Sequence, residues 1–318
     1  MNMLRVGLLL LASSLPALPA DSVSLRFAWP DHVVLGVERS FEREEIREPG
    51  PAPALVGSTS RFVWTGTRTG DRHRIAFSDF AQLKEEAEPT SRDPLVQLEH
   101  VSRAVEPLLP TLIVDAAGQP VDLEGVEALR TRLLGRYESI PGIAEDPQAR
   151  QLVQVITSDQ MIAQRALEDW NRMVQVWHGV DAEVGDVQEL RGDTGGAAGA
   201  PVENVFSYTL ESRVPCTPGG AESSCIRLIV AQRPRITGNA RAAAQMLLGF
   251  DFVDGLGAPP SASLDVRNTF TTDTDPETLL PVRYVKEKTW TVSWVDAEGA
   301  ARKVGRSDRW TYTFSRIK

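Results

Sequence analysis

Apolar and polar residues alternate one by one through the first part of the chain. Leu25, Phe27 and Trp29 fall in phase, each separated from the next by a residue that would face the other side. The same alternation returns in residues 33–41, 61–67 and 72–80. A period of two is typical of antiparallel strands with one buried and one solvated face. We therefore predict an antiparallel β segment over residues 21–90.

The middle of the chain changes to helical spacing. Asp93-Pro94 can begin a helix, because proline is well tolerated at the first helical position. A short hairpin is predicted over residues 112–123, and a second helix follows over residues 126–137. Residues 91–190 are thus predicted to form a helical segment that contains a short hairpin.

The clearest helical pattern spans residues 157–179. Ser158 can cap its beginning and Gly179 can end it. Trp170 and Trp177 lie on its apolar stripe, which predicts that both rings face the sheet.

Alternation resumes in the last part of the chain. The predicted strands are residues 205–214, 225–233, 264–270, 282–295 and a final strand that ends near Phe314. A short helix is predicted over residues 239–249. The order of strands, helices and strands indicates the α+β class. We expect a large curved antiparallel sheet from the N- and C-terminal strands, with the central helical segment packed against it, and a C-terminal antiparallel β segment over residues 191–318.

The last predicted hairpin, residues 288–315, places large aromatic side chains on one face and hydroxyl groups on the other. These aromatics are Trp290, Trp294, Trp310, Tyr312 and Phe314. In one interpretation they are the core of a twisted sheet. In the other, the helices cover the sheet incompletely and the aromatics line an apolar cavity, the usual form of a small-molecule site. Trp170 and Trp177 would then contribute to the opposite wall of a ligand-binding site.

Residues 1–20 have the pattern of a secretory signal peptide. Arg5 precedes an apolar run over residues 6–15, and the sequence LPALPA offers a cleavage point after Ala20. The run is shorter than the roughly 18–20 apolar residues that a spanning helix needs. No cysteine stands at the cleavage point to carry a lipoprotein anchor. The sequence predicts a bacterial periplasmic or secreted protein that does not span the membrane once the signal is removed.

The charge balance and the cysteines narrow the possible partners. Acidic residues outnumber basic ones by 43 to 34, and the basic residues form no cluster. Because phosphate contacts supply most nucleic-acid affinity, we expect no nucleic-acid partner. Cys216 and Cys225 close a short polar turn, which in an exported protein predicts a structural disulfide. A redox pair would have two intervening residues instead of eight.

Familiar catalytic motifs are missing from the sequence. It contains no HExxH, no GxSxG and no glycine-rich loop that leads into a helix. Asp273, Asp275 and Glu277 could offer oxygens to calcium, but they lack the glycine and spacing of a calcium loop. We therefore predict no catalytic residue, no metal and no cofactor.

The segment TDPETLLPVRY, which leads into the last hairpin, and the alternating strands around it carry a family resemblance. An exported chain with these features resembles the bacterial periplasmic half-barrel proteins that carry lipids and lipoproteins. The resemblance covers about the last hundred residues. It implies a curved antiparallel sheet that clasps acyl chains beneath a helical lid, and it brings no catalytic residue.

These observations lead to one main functional hypothesis and two alternatives. The main hypothesis is an exported, non-enzymatic envelope protein that binds a hydrophobic ligand or a protein partner through its antiparallel sheet. The first alternative is a structural or interaction protein whose aromatic residues form a closed core. The second is a hydrolase with a site that carries no familiar motif.

Overall fold

The computed structural model describes residues 22–50, 55–84, 94–194, 202–217, 224–236 and 262–317. The predicted signal peptide and the predicted helix 239–249 lie outside these residues. The strands are β1 (Ser22–Ser24), β2 (His32–Glu48), β3 (Leu55–Thr69), β4 (Arg72–Lys84), β5 (Thr111–Val114), β6 (Pro120–Glu124), β7 (Asp181–Glu183), β8 (Val187–Thr194), β9 (Val202–Val214), β10 (Cys225–Ile236), β11 (Ser263–Thr274), β12 (Pro281–Val295) and β13 (Ala301–Arg316). The helices are α1 (Pro94–Val105), α2 (Val126–Glu138), α3 (Pro147–Ile156), α4 (Asp159–Met173) and the 3-10 helix Gln175–Trp177.

Eleven of the strands form one antiparallel sheet. Its order is β6-β5-β4-β3-β2-β13-β12-β11-β10-β9-β8, and β1 pairs separately with β7. The first and last long strands, β2 and β13, lie side by side over fourteen residue pairs. The N- and C-terminal β segments therefore share one sheet, which confirms the predicted antiparallel class. The sheet is open, because β6 and β8 are edges that do not pair with each other.

Strand pairing brings the apolar positions of the sequence onto one face. Phe41 of β2 stands opposite Trp310 of β13, and Val37 stands opposite Phe314. Directly opposite side chains share a face, so these residues form a continuous apolar surface. Trp64 of β3 extends it through an edge-on contact with Phe314, with ring centroids 5.1 Å apart. This surface is the main core of the molecule.

The helical segment buries a second apolar cluster of its own. The cluster includes Leu98, Leu129, Leu133, Tyr137, Val153 and Ile162. Helix α3, which the sequence analysis did not predict, begins at Asp146-Pro147, where the Asp146 carboxylate accepts from the amides of Gln148 and Ala149. The capping carboxylate and the proline are familiar signals for the start of a helix. The sequence therefore carried a start signal for α3 of the same kind as Asp93-Pro94.

The helix predicted over residues 157–179 is shorter than expected. Helix α4 begins after Ser158, whose hydroxyl accepts from the amide of Met161, and it ends at Met173. Val174 leaves helical geometry, with φ at −128°. The 3-10 turn that follows directs Trp177 into the core, where it is 4% exposed.

The alternating residues Leu25, Phe27 and Trp29 do not belong to a strand, since β1 ends at Ser24. The next residues stay extended and keep the predicted alternation of burial. The amide of Leu25 donates to the carbonyl of Val180 over 2.8 Å. Farther along, the amide of Ala28 donates to the carbonyl of Thr278 over 3.2 Å. This segment therefore bridges two loops instead of joining the large sheet.

Cys216 and Cys225 form the predicted disulfide, which joins the end of β9 to the start of β10. Among the residues that the structure describes, no helix is both long and apolar enough to cross a membrane.

Replacing both cysteines with serine should destabilise the protein by about 2–3 kcal/mol, because the disulfide restricts the unfolded chain. Equilibrium unfolding in urea would measure the change, with the reduced wild-type protein as the control. A double variant as stable as the oxidised wild type would contradict this account.

Candidate functional site

A layer of charged side chains lies between the sheet and the helices. The charged layer, as we define it, consists of Arg39, Arg43, Lys286 and Asp308 of the sheet with Glu99, Glu106, Glu168 and Asp169 of the helical segment. The four sheet residues are all buried. Each lies on the inner face, in phase with apolar neighbours such as Phe41 and Trp310. The contact between sheet and helices is therefore partly ionic.

Lys286 is at the centre of this layer. Its Nζ lies 3.5 Å from Asp169 Oδ1 and 3.6 Å from Glu106 Oε1. Arg39 approaches the other oxygen of Glu106 at 2.6 Å. The Tyr284 hydroxyl donates to Asp169 over 2.9 Å. Two basic residues of the sheet are thus each paired with a carboxylate from the helical side.

A second ionic group extends the layer towards α1. Arg43 contacts both carboxylate oxygens of Asp308, at 2.6 and 3.1 Å. The same arginine lies 3.0 Å from Glu99 of α1, which Arg306 also contacts at 2.6 Å. Bidentate arginine–carboxylate contacts are geometrically specific. This group therefore fixes the position of α1 over β2 and β13.

The charges of the layer shift one another's pKa values. Burial by itself would lower the pKa of Lys286, but Asp169 and Glu106 outweigh it and raise that pKa. Burial would raise the pKa of Glu106, yet Lys286 and Arg39 hold it below its usual value. Against the same effect of burial, Lys286 and Lys288 lower the pKa of Glu168 to about 2. Each of these shifts favours the ionised form.

A small cavity of about 40 Å³ lies beside the charged layer. Its apolar wall includes Phe62, Trp64, Met173 and Phe314, and its polar wall includes Glu106, Asp169, Lys286 and Tyr312. A cavity of this size has room for a few water molecules at most. Acid–base catalysis at neutral pH needs a group with a pKa near 7. The shifts of Lys286, Glu106 and Glu168 lead away from that value, so these groups are suited to holding charge.

A larger groove opens at the β8 edge of the sheet, with a volume of about 440 Å³. We name it the edge groove. Its apolar wall contains Trp177, Val180, Ala182, Leu190, Tyr208 and Leu210. Asp181, Asp186 and Gln188 add polar groups to its lining. A concave site of a few hundred Å³ with mostly apolar walls and a few polar groups is typical of ligand-binding sites.

The edge groove has two walls. On one side, the 3-10 helix continues into the loop that contains β7, and on the other side lie β8 and β9. The Trp177 indole N–H donates to the carbonyl of Arg172 over 2.9 Å, and its ring meets Tyr208 edge-on at 6.0 Å. The amide of Gly185 donates to the carbonyl of Leu210 over 2.7 Å. These contacts fix both walls, so the groove is a formed feature of the fold.

The seven aromatic residues proposed as ligand contacts do not meet at one site. Tyr312 and Phe314 line the 40 Å³ cavity, and Trp177 lines the edge groove. Trp294 lines a separate groove of about 530 Å³ at the far end of the last hairpin.

The other three have different surroundings. Trp310 and Trp170 are buried in the main core, where the Trp170 indole N–H donates to the carbonyl of Gly118 over 2.8 Å. Trp290 is half-buried on β12, opposite Arg306. Space between the sheet and α4 at Trp170 is therefore filled by protein atoms.

The charged layer was not predicted, although the sequence carried a signal for it. Lys286 and Lys288 lie in phase with Tyr284 and Trp290 along one strand. Arg39 likewise lies in phase with apolar residues of its own strand. A charged residue at an inward position of a strand needs a buried partner. The helical segment supplies these partners as Glu106, Glu168 and Asp169.

No protein-family model matches the chain, and no curated protein matches it. In the described ranges, no group of three or more His, Cys, Asp or Glu residues is arranged to hold a metal ion. The fold and these sites define an open antiparallel sheet with a helical layer on one face and a groove at one edge.

Replacing Lys286 with methionine should destabilise the protein by about 3–5 kcal/mol, because it leaves Glu106 and Asp169 less well compensated inside the structure. Chemical unfolding at pH 7 measures the change. Lys288→Met is the matched control, since Lys288 lies on the same face of the same strand but is 39% exposed. We expect its cost to stay below about 1 kcal/mol. Equal losses in the two variants would contradict a central role for Lys286.

The free energy of unfolding should also depend on pH, through the ionisation of Glu168. Its pKa of about 2 lies below the unfolded value near 4.5, so its contribution is present above pH 4.5 and is lost as the pH falls towards 2. With 26% of its side chain exposed, the contribution is on the order of 2 kcal/mol.

Glu168→Gln should therefore be less stable than the wild type at pH 7, and this difference should shrink towards pH 2. Urea unfolding across this range measures it. The exposed Glu138 on α2, replaced by glutamine, is the control. A constant difference between Glu168→Gln and wild type at all pH values would show that the charge of Glu168 does not contribute.

Proposed function

We propose that this protein is an exported envelope protein that binds a hydrophobic ligand in the edge groove. One observation carries the proposal: a 440 Å³ groove with apolar walls lies open beside the edge strand β8. Val187 and Leu190, which line it, are 60% and 50% exposed. Burial of such side chains against an apolar ligand supplies binding free energy in proportion to the area covered.

The location of the groove changes the binding mechanism expected from the sequence. The space between the aromatic strand face and the helices has a cavity of about 40 Å³, too small for an acyl chain. The edge groove is about ten times larger and includes Trp177, one of the aromatics that the sequence analysis selected. The ligand would therefore lie against the 3-10 helix and β8, beside the helical layer.

Several properties support export and carriage without a catalytic step. A disulfide between Cys216 and Cys225 is compatible with an oxidising compartment. A broad open sheet with helices on one face is what the half-barrel carriers would have, and a curved form of that sheet belongs to the proposal. The pKa shifts of Lys286, Glu106 and Glu168 lead away from neutrality. These features favour a binding protein over a hydrolase.

The test is binding of a fluorescent hydrophobic probe, 1-anilinonaphthalene-8-sulfonate, to the purified exported protein. Val176→Asp places a carboxylate in the groove at a residue that is 36% exposed, so the fold should tolerate it. We expect probe affinity to fall at least about tenfold, because the charge must lose water when the probe binds. Extraction of the wild-type protein with organic solvent, followed by mass spectrometry, would identify a ligand that purifies with it.

Val155→Asp is the matched control, because Val155 is a 50% exposed valine on α3 that does not line the groove. This variant should bind the probe as the wild type does. Equal probe affinity in the wild type and the Val176→Asp variant would refute the groove as the binding site. In that case, the alternative of an interaction protein with a closed aromatic core would be the better account.

A further inference from the structure

The two edges of the large sheet differ in how they are protected against pairing. At one edge, β6 contains Pro120, which has no backbone N–H, and two carboxylates, Asp122 and Glu124. Prolines and like charges are the usual means by which an edge strand avoids another strand. At the other edge, β8 has no proline, and all its described side chains from Val187 to Gly192 are exposed. In the described part of the chain, no strand pairs with the outer side of β8.

The backbone of β8 offers hydrogen-bonding groups on its open side. The carbonyl of Asp186, directly before β8, accepts from the amide of Leu210 over 3.2 Å, so this carbonyl is directed towards β9. Alternate residues of an antiparallel strand direct their backbone groups to the same side. By this alternation, the backbone N–H and C=O groups of Leu190 are directed towards β9. Those of Glu189 and Arg191 are directed outward, away from β9.

The charges of β8 match a second copy of the same strand. In an antiparallel pair with Leu190 on the two-fold axis, Glu189 of each chain stands opposite Arg191 of the other. Opposite charges that face each other across strands attract, and like charges repel. An axis through Glu189 or Arg191 would set two like charges against each other. Within the described ranges, neither Glu189 nor Arg191 forms a salt bridge with another side chain.

The hydrogen-bonding pattern agrees with the charge pattern. Glu189 and Arg191 both direct their backbone groups outward, so they can exchange two hydrogen bonds when they stand opposite each other. The two copies of Leu190 then form a non-hydrogen-bonded pair, in which side chains approach most closely. This pair covers a leucine that is 50% exposed in one chain.

We propose that β8 pairs with β8 of a second copy of this chain, with Leu190 on the two-fold axis and two Glu189–Arg191 ion pairs. Both sheets then continue into one another with their helical faces on the same side. Because Leu190 lines the edge groove, the two grooves meet at the axis. The idea that the two adjoining grooves bind ligand together rests on the proposed function, but the strand pairing does not.

Sedimentation equilibrium of the exported protein tests the pairing. A single strand pair is a small interface, so the wild type should form a dimer with a dissociation constant in about the micromolar range. Glu189→Arg sets arginine against arginine twice and should weaken the dimer at least about tenfold. Arg191→Glu should do the same with glutamates. An equimolar mixture of the two variants should dimerise as the wild type does, since each Arg then faces a Glu.

Two controls separate this pairing from other effects. Asp122→Arg makes the same charge change at the β6 edge and should leave the dimer intact. Val176→Asp should also dimerise normally, even where it no longer binds the hydrophobic probe, so failure of the groove and failure of the dimer are distinguishable. A wild-type monomer at all concentrations up to about 1 mM would overturn the pairing. The pairing would also be overturned if Glu189→Arg and Arg191→Glu each dimerised like the wild type. An equimolar mixture of the two variants that failed to dimerise would overturn it as well.

Discussion

The arrangement of the molecule depends on the placement of Lys286 between Glu106 and Asp169. Transfer of a lone ammonium group into the interior would cost several kcal/mol, so the helical segment must present its carboxylates at that point of the sheet. Arg39 and Arg43 impose the same requirement farther along β2 and β13. Burial of an apolar helix face on an apolar sheet is non-directional and does not require particular pairs of side chains to meet. A face with paired charges has one arrangement in which each charge finds its partner. The ionic contacts thus specify how the helices lie, while the apolar residues supply most of the free energy of burial.

This division explains why the edge groove, our proposed binding site, lies at the margin of the sheet. Because the charged layer holds α1 and α4 firmly over β2, β13 and β12, the space beneath them is reduced to a 40 Å³ cavity. The helices cover less of the sheet over β8 and β9. There, Trp177 and the loop after it form one wall of the edge groove instead. A volume of 440 Å³ remains there. The constraint that closes the centre of the sheet therefore leaves its margin accessible.

Much of the strand pattern could be predicted, because period-two burial is a local property of the sequence. The five aromatics of the last hairpin do share one face: Trp290 stands opposite Arg306 and Trp310 opposite Lys286, all at positions of the same parity. Which of these aromatics are buried and which line a cavity or groove could not be predicted, since burial depends on where the helices end. The charged layer was missed because the apolar residues alone were used to assign the face. The edge groove depends on the pairing of β8 with β9, which is not a local property.

The edge groove and the β8 edge share Leu190, so the proposed ligand binding and the proposed pairing would be linked. If the second copy completes the wall of the groove, a ligand that contacts both chains binds the dimer more tightly than the monomer. By linkage, the ligand would then raise the dimerisation constant by the same factor by which dimerisation raises the affinity for the ligand. The weak interface expected of one strand pair makes such a link effective, because a small free energy shifts the balance. Proline and like charges at β6 prevent the same sheet from growing at its other end. The proposed pairing at the β8 edge would therefore end at two copies and would not continue into a fibre.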